Sequence, residues 1–175
     1  MNLADRPVPP DPYDLLPPAP SFTVTSADLT AGEQIPHKFT AAGDNRSPQL
    51  EWSGFPAETK AFMVTCFDPD APTPSGFWHW HMQLPATVTQ LTQNAGSDAS
   101  LLPVGTKVFK NDTGRAGYYG PKPPQGDRPH RYYFVVHALD VEDLQLDPNS
   151  TGARISSNTL FHTLARGVFM ATFQH

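Results

Sequence analysis

Residues 61–68, AFMVTCFD, form an almost unbroken apolar run, the pattern of a strand covered on both faces. HRYYFVVHALD at 130–140 is denser still in aromatic and β-branched residues and predicts the strongest strand of the chain. WHWHMQL at 78–84 alternates. A strand there sends Trp78, Trp80 and Met82 to one face, His79, His81 and Gln83 to the other. Shorter alternating stretches, FTVTS, QLEW and the closing VFMATFQ, read as further strands separated by glycine- and proline-rich turns. One helix is expected late, over NTLFHTLARG. Ser156 or Ser157 would cap it, Leu160, Phe161, Leu164 and Ala165 would form its apolar stripe, and Gly167 would stop it. The pattern predicts a mainly β, antiparallel-rich fold with one or two short helices.

Composition narrows this picture. The chain has 175 residues, 38% of them hydrophobic, which suits one domain with a sizeable core. Only 17% are charged, the net charge is −5, and no basic cluster occurs, which argues against nucleic acid or acidic lipid surfaces as partners. No run approaches the ~18 apolar residues of a membrane-spanning helix, and the first residues lack the ~7–15-residue apolar core of a signal peptide. The expected address is cytoplasmic, without integral membrane association. Cys66 is the single cysteine and lies inside an apolar run, so an inert buried thiol is expected. Seven of the twenty prolines fall in residues 1–20, which predicts an extended proline-rich arm preceding a single domain over 21–175. Tyr13, Leu15 and Leu16 would let that arm dock on the body or on a second subunit.

The chemistry concentrates in two proline-stiffened rims. DPDAPTPSG (68–76) delivers Asp68 and Asp70 to the end of one strand, and YYGPKPPQGDRPHRY (118–132) delivers His130 to the start of another. Period two puts His130 and Tyr132 on one face of that strand and Arg131 on the opposite face. Asp-Pro pairs also start ordinary turns, because the carboxylate bonds nearby backbone amides and proline presets φ. Two such rims nevertheless describe a pocket better than two unrelated turns. His79-x-His81 with a distant third histidine has zinc-like spacing but no glutamate placed as a general base. No G-x-S-x-G elbow and no phosphate-loop motif occur.

In combination, SPQLEW, CFDPDAP with GFWHW, GPKPPQGDRPHRYYFVVHALD and NTLFHTLARGVFMATF resemble the phosphatidylethanolamine-binding protein family, in particular its bacterial branch described as Raf-kinase-inhibitor-like. The resemblance implies a large antiparallel sheet packed on a smaller one, with a small anion pocket at one end. It assigns ligand-binding roles to Asp68, Asp70, Pro72, His79, Gly120, Pro123, Pro124, His130 and Tyr132, and a supporting role to Arg131. Arg131 is expected to take an aspartate of DPDAP in a forked contact. Carboxylates near His79 and His130 should orient these imidazoles and raise their pKa. Lys122 stands where many relatives have a small residue and would cover the pocket or favour acidic ligands. The stretch between Trp80 and Pro85 is about one residue shorter than is usual in the family, which leaves the faces of His81 and Gln83 dependent on a bulge.

The implied function is non-enzymatic binding of a phosphate-type group such as a phospholipid head group, with possible modulation of a kinase or protease partner, as a homodimer, without cofactor or metal. The rival reading is a metal-assisted or phosphoester hydrolase using the same histidines and aspartates.

Overall fold

The computed structural model describes residues 2–175. Two antiparallel sheets face each other. The smaller is made of β1 (Thr23–Thr25), β2 (Leu50–Ser53) and β5 (Gln90–Leu91), in the order β1-β2-β5. The larger contains β3 (Ala61–Asp68), β4 (Phe77–Pro85), β6 (Lys107–Val108), β7 (His130–Leu139) and β8 (Thr163–Phe173), in the order β6-β4-β3-β7-β8.

The strands with the longest apolar runs take the centre of the large sheet, because only there are both faces covered. Phe62, Val64, Cys66, Trp80, Met82, Phe134 and Val136 point inward, against Trp52, Leu50 and Val24 of the small sheet. On the outer face Ala61, Met63 and Leu139 are sealed by Ile155 of the helix and by Leu144 and Leu146 of the preceding loop. Cys66 is a buried free thiol.

The helix lies earlier than the sequence pattern predicts. α1 spans Gly152–Phe161, capped by Thr151, whose side chain accepts from the Arg154 N–H. Leu164, Ala165 and Gly167 belong instead to β8, and Gly167 packs its bare Cα face against Val24 and Phe22 rather than ending a helix. Ten residues of pairing with β7, interrupted only by a bulge at Leu164, outweigh the local helical pattern, a tertiary override of propensity.

A second correction concerns β4. Cys66 pairs with Trp80 and Phe67 with Trp78, so His79 is an extra residue opposite β3. This bulge reverses the alternation upstream of Trp80. His79 turns to the inner face that carries Trp80, and Trp78 turns outward, where its ring lies 4.8 Å from that of His81. Trp78 fits there because α1 begins with Gly152; a Cβ on that residue would come within 2.4 Å of the Trp78 ring. From Trp80 to Pro85 the pairing runs without a further shift, so His81 and Gln83 stay on the outer face. His81 Nδ1 meets the Lys110 carbonyl at 3.2 Å, and Gln83 holds the 142–144 loop, donating to the Glu142 carbonyl and accepting from the Leu144 N–H. Neither reaches the pocket.

The arm follows the outer face of the large sheet on its own chain. The Tyr13 ring lies 5.8 Å from that of Tyr133 and 6.3 Å from that of His137, with the Arg166 guanidinium 5.5 Å from its centroid. Leu16, Tyr13 and Leu160 of α1 border one small cavity under the arm, while Leu15 remains 71% exposed.

Candidate functional site

At one end of the sheets, the turn after β3, the start of β4 and the loop before β7 enclose a cavity of about 390 Å³. Asp68, Pro72, His79, Pro123, Pro124, His130 and Tyr132 all line it. Lys122 stands with them, and Phe77, Tyr119, Thr73 and Thr113 complete the wall. The cavity lies at strand ends because β3 stops at Asp68, where Asp68 Oδ1 accepts the Asp70 N–H at 2.8 Å and turns the chain.

Two assigned residues do other work. Gly120 is packed edge-on against the 39–41 backbone, where an added Cβ would meet the Phe39 carbonyl oxygen at 2.4 Å; its N–H donates to Asn45 Oδ1. It fixes the rim rather than lining the pocket. Asp70 is buried and turned to Arg131, which donates Nε to Oδ2 at 2.8 Å and Nη2 to Oδ1 at 3.1 Å, while the Arg131 backbone N–H also reaches Oδ2. Burial alone would push the Asp70 carboxyl up. The Arg131 contacts more than offset this and hold it below the ordinary carboxylate range.

His130 sits between two carboxylates. Its Nδ1 is 2.7 Å from Asp68 Oδ2, and its Nε2 is 3.0 Å from Asp127 Oδ2. An imidazole can donate from both nitrogens only as the imidazolium. Burial opposes that charge, and the bonds and charges of Asp68 and Asp127 prevail, so its pKa is raised. Both N–H groups are thereby spent within the protein. His130 fixes the pocket floor and offers a ligand its ring and its charge, but no free donor.

His79 behaves oppositely to the sequence expectation. Its Nδ1 donates to the Tyr119 carbonyl at 2.6 Å, and its ring stacks on Tyr119 and meets Tyr132 edge-on. Burial lowers its pKa despite the pull of Asp68, so it is a neutral imidazole with a basic Nε2. Nearby, the Tyr132 hydroxyl is buried with no hydrogen bond of normal geometry, and burial and the neighbouring Asp68 carboxylate push its pKa up.

The bulge also separates the zinc-like pair. His79 faces the cavity and His81 the outer layer, so they cannot share an ion. Among the described residues, no group of three or more His, Cys, Asp or Glu side chains is placed to hold a metal ion.

Sequence reasoning missed Asp127, Arg6 and Arg128. Asp127 stands three residues before His130 in GDRPHRY, a readable spacing, but only the fold of the Pro124–Asp127 turn brings the two side chains together. Arg6 carries no signal at all within the arm.

Two facing antiparallel sheets with a small cavity at their strand ends define a class of β protein that comparison with known proteins identifies. The phosphatidylethanolamine-binding protein model matches residues 25–174, and the chain belongs to that family. It is 45% identical over 154 residues to the Escherichia coli UPF0098 protein YbhB, covering 85% of this chain and 97% of that one. The crystal structure of Escherichia coli YbcL, described as a new member of the mammalian PEBP family, superposes with a TM-score of 0.85 at 42% identity, covering 88% of this chain and 98% of that one. A Mycobacterium tuberculosis relative called a lipoprotein, LppC, is 33% identical over 165 residues, which is 92% of this chain and 78% of that one. No helix among the described residues is long and apolar enough to cross a membrane.

Proposed function

We propose that the chain is a non-enzymatic binding protein whose end cavity takes the phosphate-type group of a small anionic ligand such as a phospholipid head group. The observation that carries this reading is the Tyr132 hydroxyl, a buried group in the cavity wall that makes no hydrogen bond of normal geometry and has the already engaged Asp68 carboxylate as its polar neighbour. An orphaned buried polar group costs about 1–3 kcal/mol, and a ligand oxygen would recover it. The carboxylates that would repel an anion are already engaged, Asp68 by His130, Asp70 by Arg131 and Asp127 by His130 and Arg6. Lys122 adds a positive charge to the wall. A hydrolase needs a free carboxylate or imidazole base beside a nucleophile. Asp68 has both oxygens bonded, which weighs against a carboxylate base, and the one free imidazole base, His79 Nε2, is tested by turnover of the probe below.

His79 gives the reading a pH signature. An anion beside its Nε2 favours the imidazolium, so binding takes up a proton. Affinity for glycerophosphoethanolamine, whose phosphodiester keeps its charge, should rise roughly tenfold from about pH 8 to pH 6, across the histidine range. Calorimetry in buffers of different ionisation enthalpy measures both the affinity and the proton uptake. His79→Gln should abolish the gain. Affinity flat with pH, or turnover of the probe, would sink the proposal.

A cytoplasmic location and a kinase or protease partner at the rims belong to the same reading, as does a homodimer. Leu15 and Phe161, 71% and 80% exposed, are apolar surface available to a second copy. Light scattering should give about twice the 19.2 kDa chain mass at micromolar concentration, and a single-chain mass would remove the dimer from the reading.

A further inference from the structure

The arm does more than lie on the sheet. Arg6 Nη1 donates to Asp127 Oδ2 at 3.0 Å and Oδ1 at 3.2 Å, and its Nη2 donates to the Asp70 carbonyl at 2.7 Å. One guanidinium thus joins the two rims of the cavity from behind. The rest of the arm is held by arginines taking its backbone oxygens. Arg128 donates to the carbonyls of Arg6 and Pro7, Arg131 to that of Pro9, and Arg166 to that of Pro17. Proline suits this use, since a proline-rich segment has carbonyls to offer and little entropy to lose on docking.

The charges explain why this matters to the cavity. Asp68 at the end of β3, Asp127 from the preceding loop and Asp70 from the opposite rim face His130, with His79 on its cavity side. Tyr132 stacks near it at 6.5 Å. Arg131 and Arg128 stand behind Asp70, and Arg6 stands behind Asp127. In this cluster three carboxylates meet three guanidiniums and one imidazolium, with Lys122 on the wall and Asp112 acting on His79 as further charges. Arg6 adds its positive charge from outside residues 25–174, the part matched by the family.

Resting on the anion-binding reading of the cavity, we propose that Arg6 is a positioning residue for it: the docked arm shares Asp127 with His130, ties the rims together and adds positive charge to the cluster, so that anion affinity depends on arm docking. Undocking the arm leaves Asp127 with His130 as its remaining cation. Asp127 then draws the imidazolium proton more strongly, while the cluster loses its attraction for an anion.

The test uses the full chain with Arg6→Gln and Arg6→Lys. The His130 titration midpoint is followed by NMR without ligand, and glycerophosphoethanolamine affinity by calorimetry. Arg6→Gln should move the His130 midpoint upward and weaken binding about tenfold, within the ~5- to 150-fold range of typical site coupling. Arg6→Lys, which restores charge without the fork, should return the midpoint toward wild type and recover part of the affinity. A residue that only stabilises the arm would lower the melting temperature without moving the midpoint. An unmoved or lowered midpoint in folded Arg6→Gln therefore overturns the proposal, and so does a raised midpoint with unchanged affinity. If the wild-type protein fails to bind the probe, the binding reading falls with it, while the midpoint still decides whether Arg6 acts on His130.

Discussion

Acidification from pH 7.5 to 4.5 should cost the protein about 5 kcal/mol of stability through two histidines that are outside the cavity. His81 is fully buried; its Nδ1 donates to the Lys110 carbonyl, and its Nε2 has no partner. Burial pushes its pKa down to about 4. His137 lies under the arm, and its Nδ1 bonds to Thr163 Oγ1. The Thr163 hydroxyl donates to the Thr159 carbonyl, so it accepts from His137, which fixes the neutral tautomer. Burial, with the Arg166 charge, pushes its pKa down to about 3. For a depressed histidine the unfolded chain binds more protons than the folded one below about pH 6.5, so stability falls as pH falls toward the folded value. Each site then loses about 1.4 kcal/mol per pH unit. Together they approach the ~5–15 kcal/mol that holds a typical domain together. His130 contributes with the opposite sign, its stabilisation being present in acid and lost as pH rises through its raised pKa. Denaturant melts at both pH values are the measurement. The double variant His81→Asn, His137→Asn keeps both Nδ1-type donors and should be less stable at neutral pH but nearly flat with pH. An equal acid loss in that variant would refute the assignment.

Arg131→Ala should cost about 3–5 kcal/mol and His79→Ala clearly less. Asp70 is 2% exposed, and its carboxylate depends on the Arg131 fork. Truncating Arg131 strands that charge, the situation in which breaking a buried pair is expensive. The lower end of the range is expected, because the backbone N–H of residue 131 remains and Arg128 Nη2 lies 3.6 Å from Asp70 Oδ1. The variant also releases the Pro9 carbonyl, so the arm loosens with it. His79→Ala removes a neutral ring that borders an existing cavity and strands nothing charged. Adding Asp70→Asn to Arg131→Ala removes the stranded charge and should recover part of the loss, a non-additivity that a packing effect would not give. Equal melting temperatures for Arg131→Ala and His79→Ala would contradict this division of roles.

The large sheet was legible in the residues because its central strands carry patterns that only a buried strand explains, and β3 occupies 61–68 as AFMVTCFD predicts. The face of Arg131 followed from period two, since β7 pairs with β8 without a bulge from His130 to Ala138. The same rule misplaced His79 and Trp78, because a bulge is a property of two strands together and leaves no mark in one of them. The helix was misplaced for a related reason. LFHTLARG carries a fair helical stripe, and only its pairing with β7 makes part of it a strand.

The sequence by itself thus determined the fold class and the two rims, and its resemblance to the family pointed to Asp68, Pro72, His79, Pro123, Pro124, His130 and Tyr132 as neighbours at one end of the molecule. The strands and rims depend on periodicity and on turn chemistry, which act over a few residues. The tertiary structure alone decided their charge states and their partners. His130 is an imidazolium because Asp127 and Asp68 meet it from two different segments, whereas His79 is neutral because burial outweighs the same Asp68. Arg6 enters the cluster from 121 positions away. Burial and long-range Coulomb energy depend on distances through space, and those distances exist only once the chain has folded.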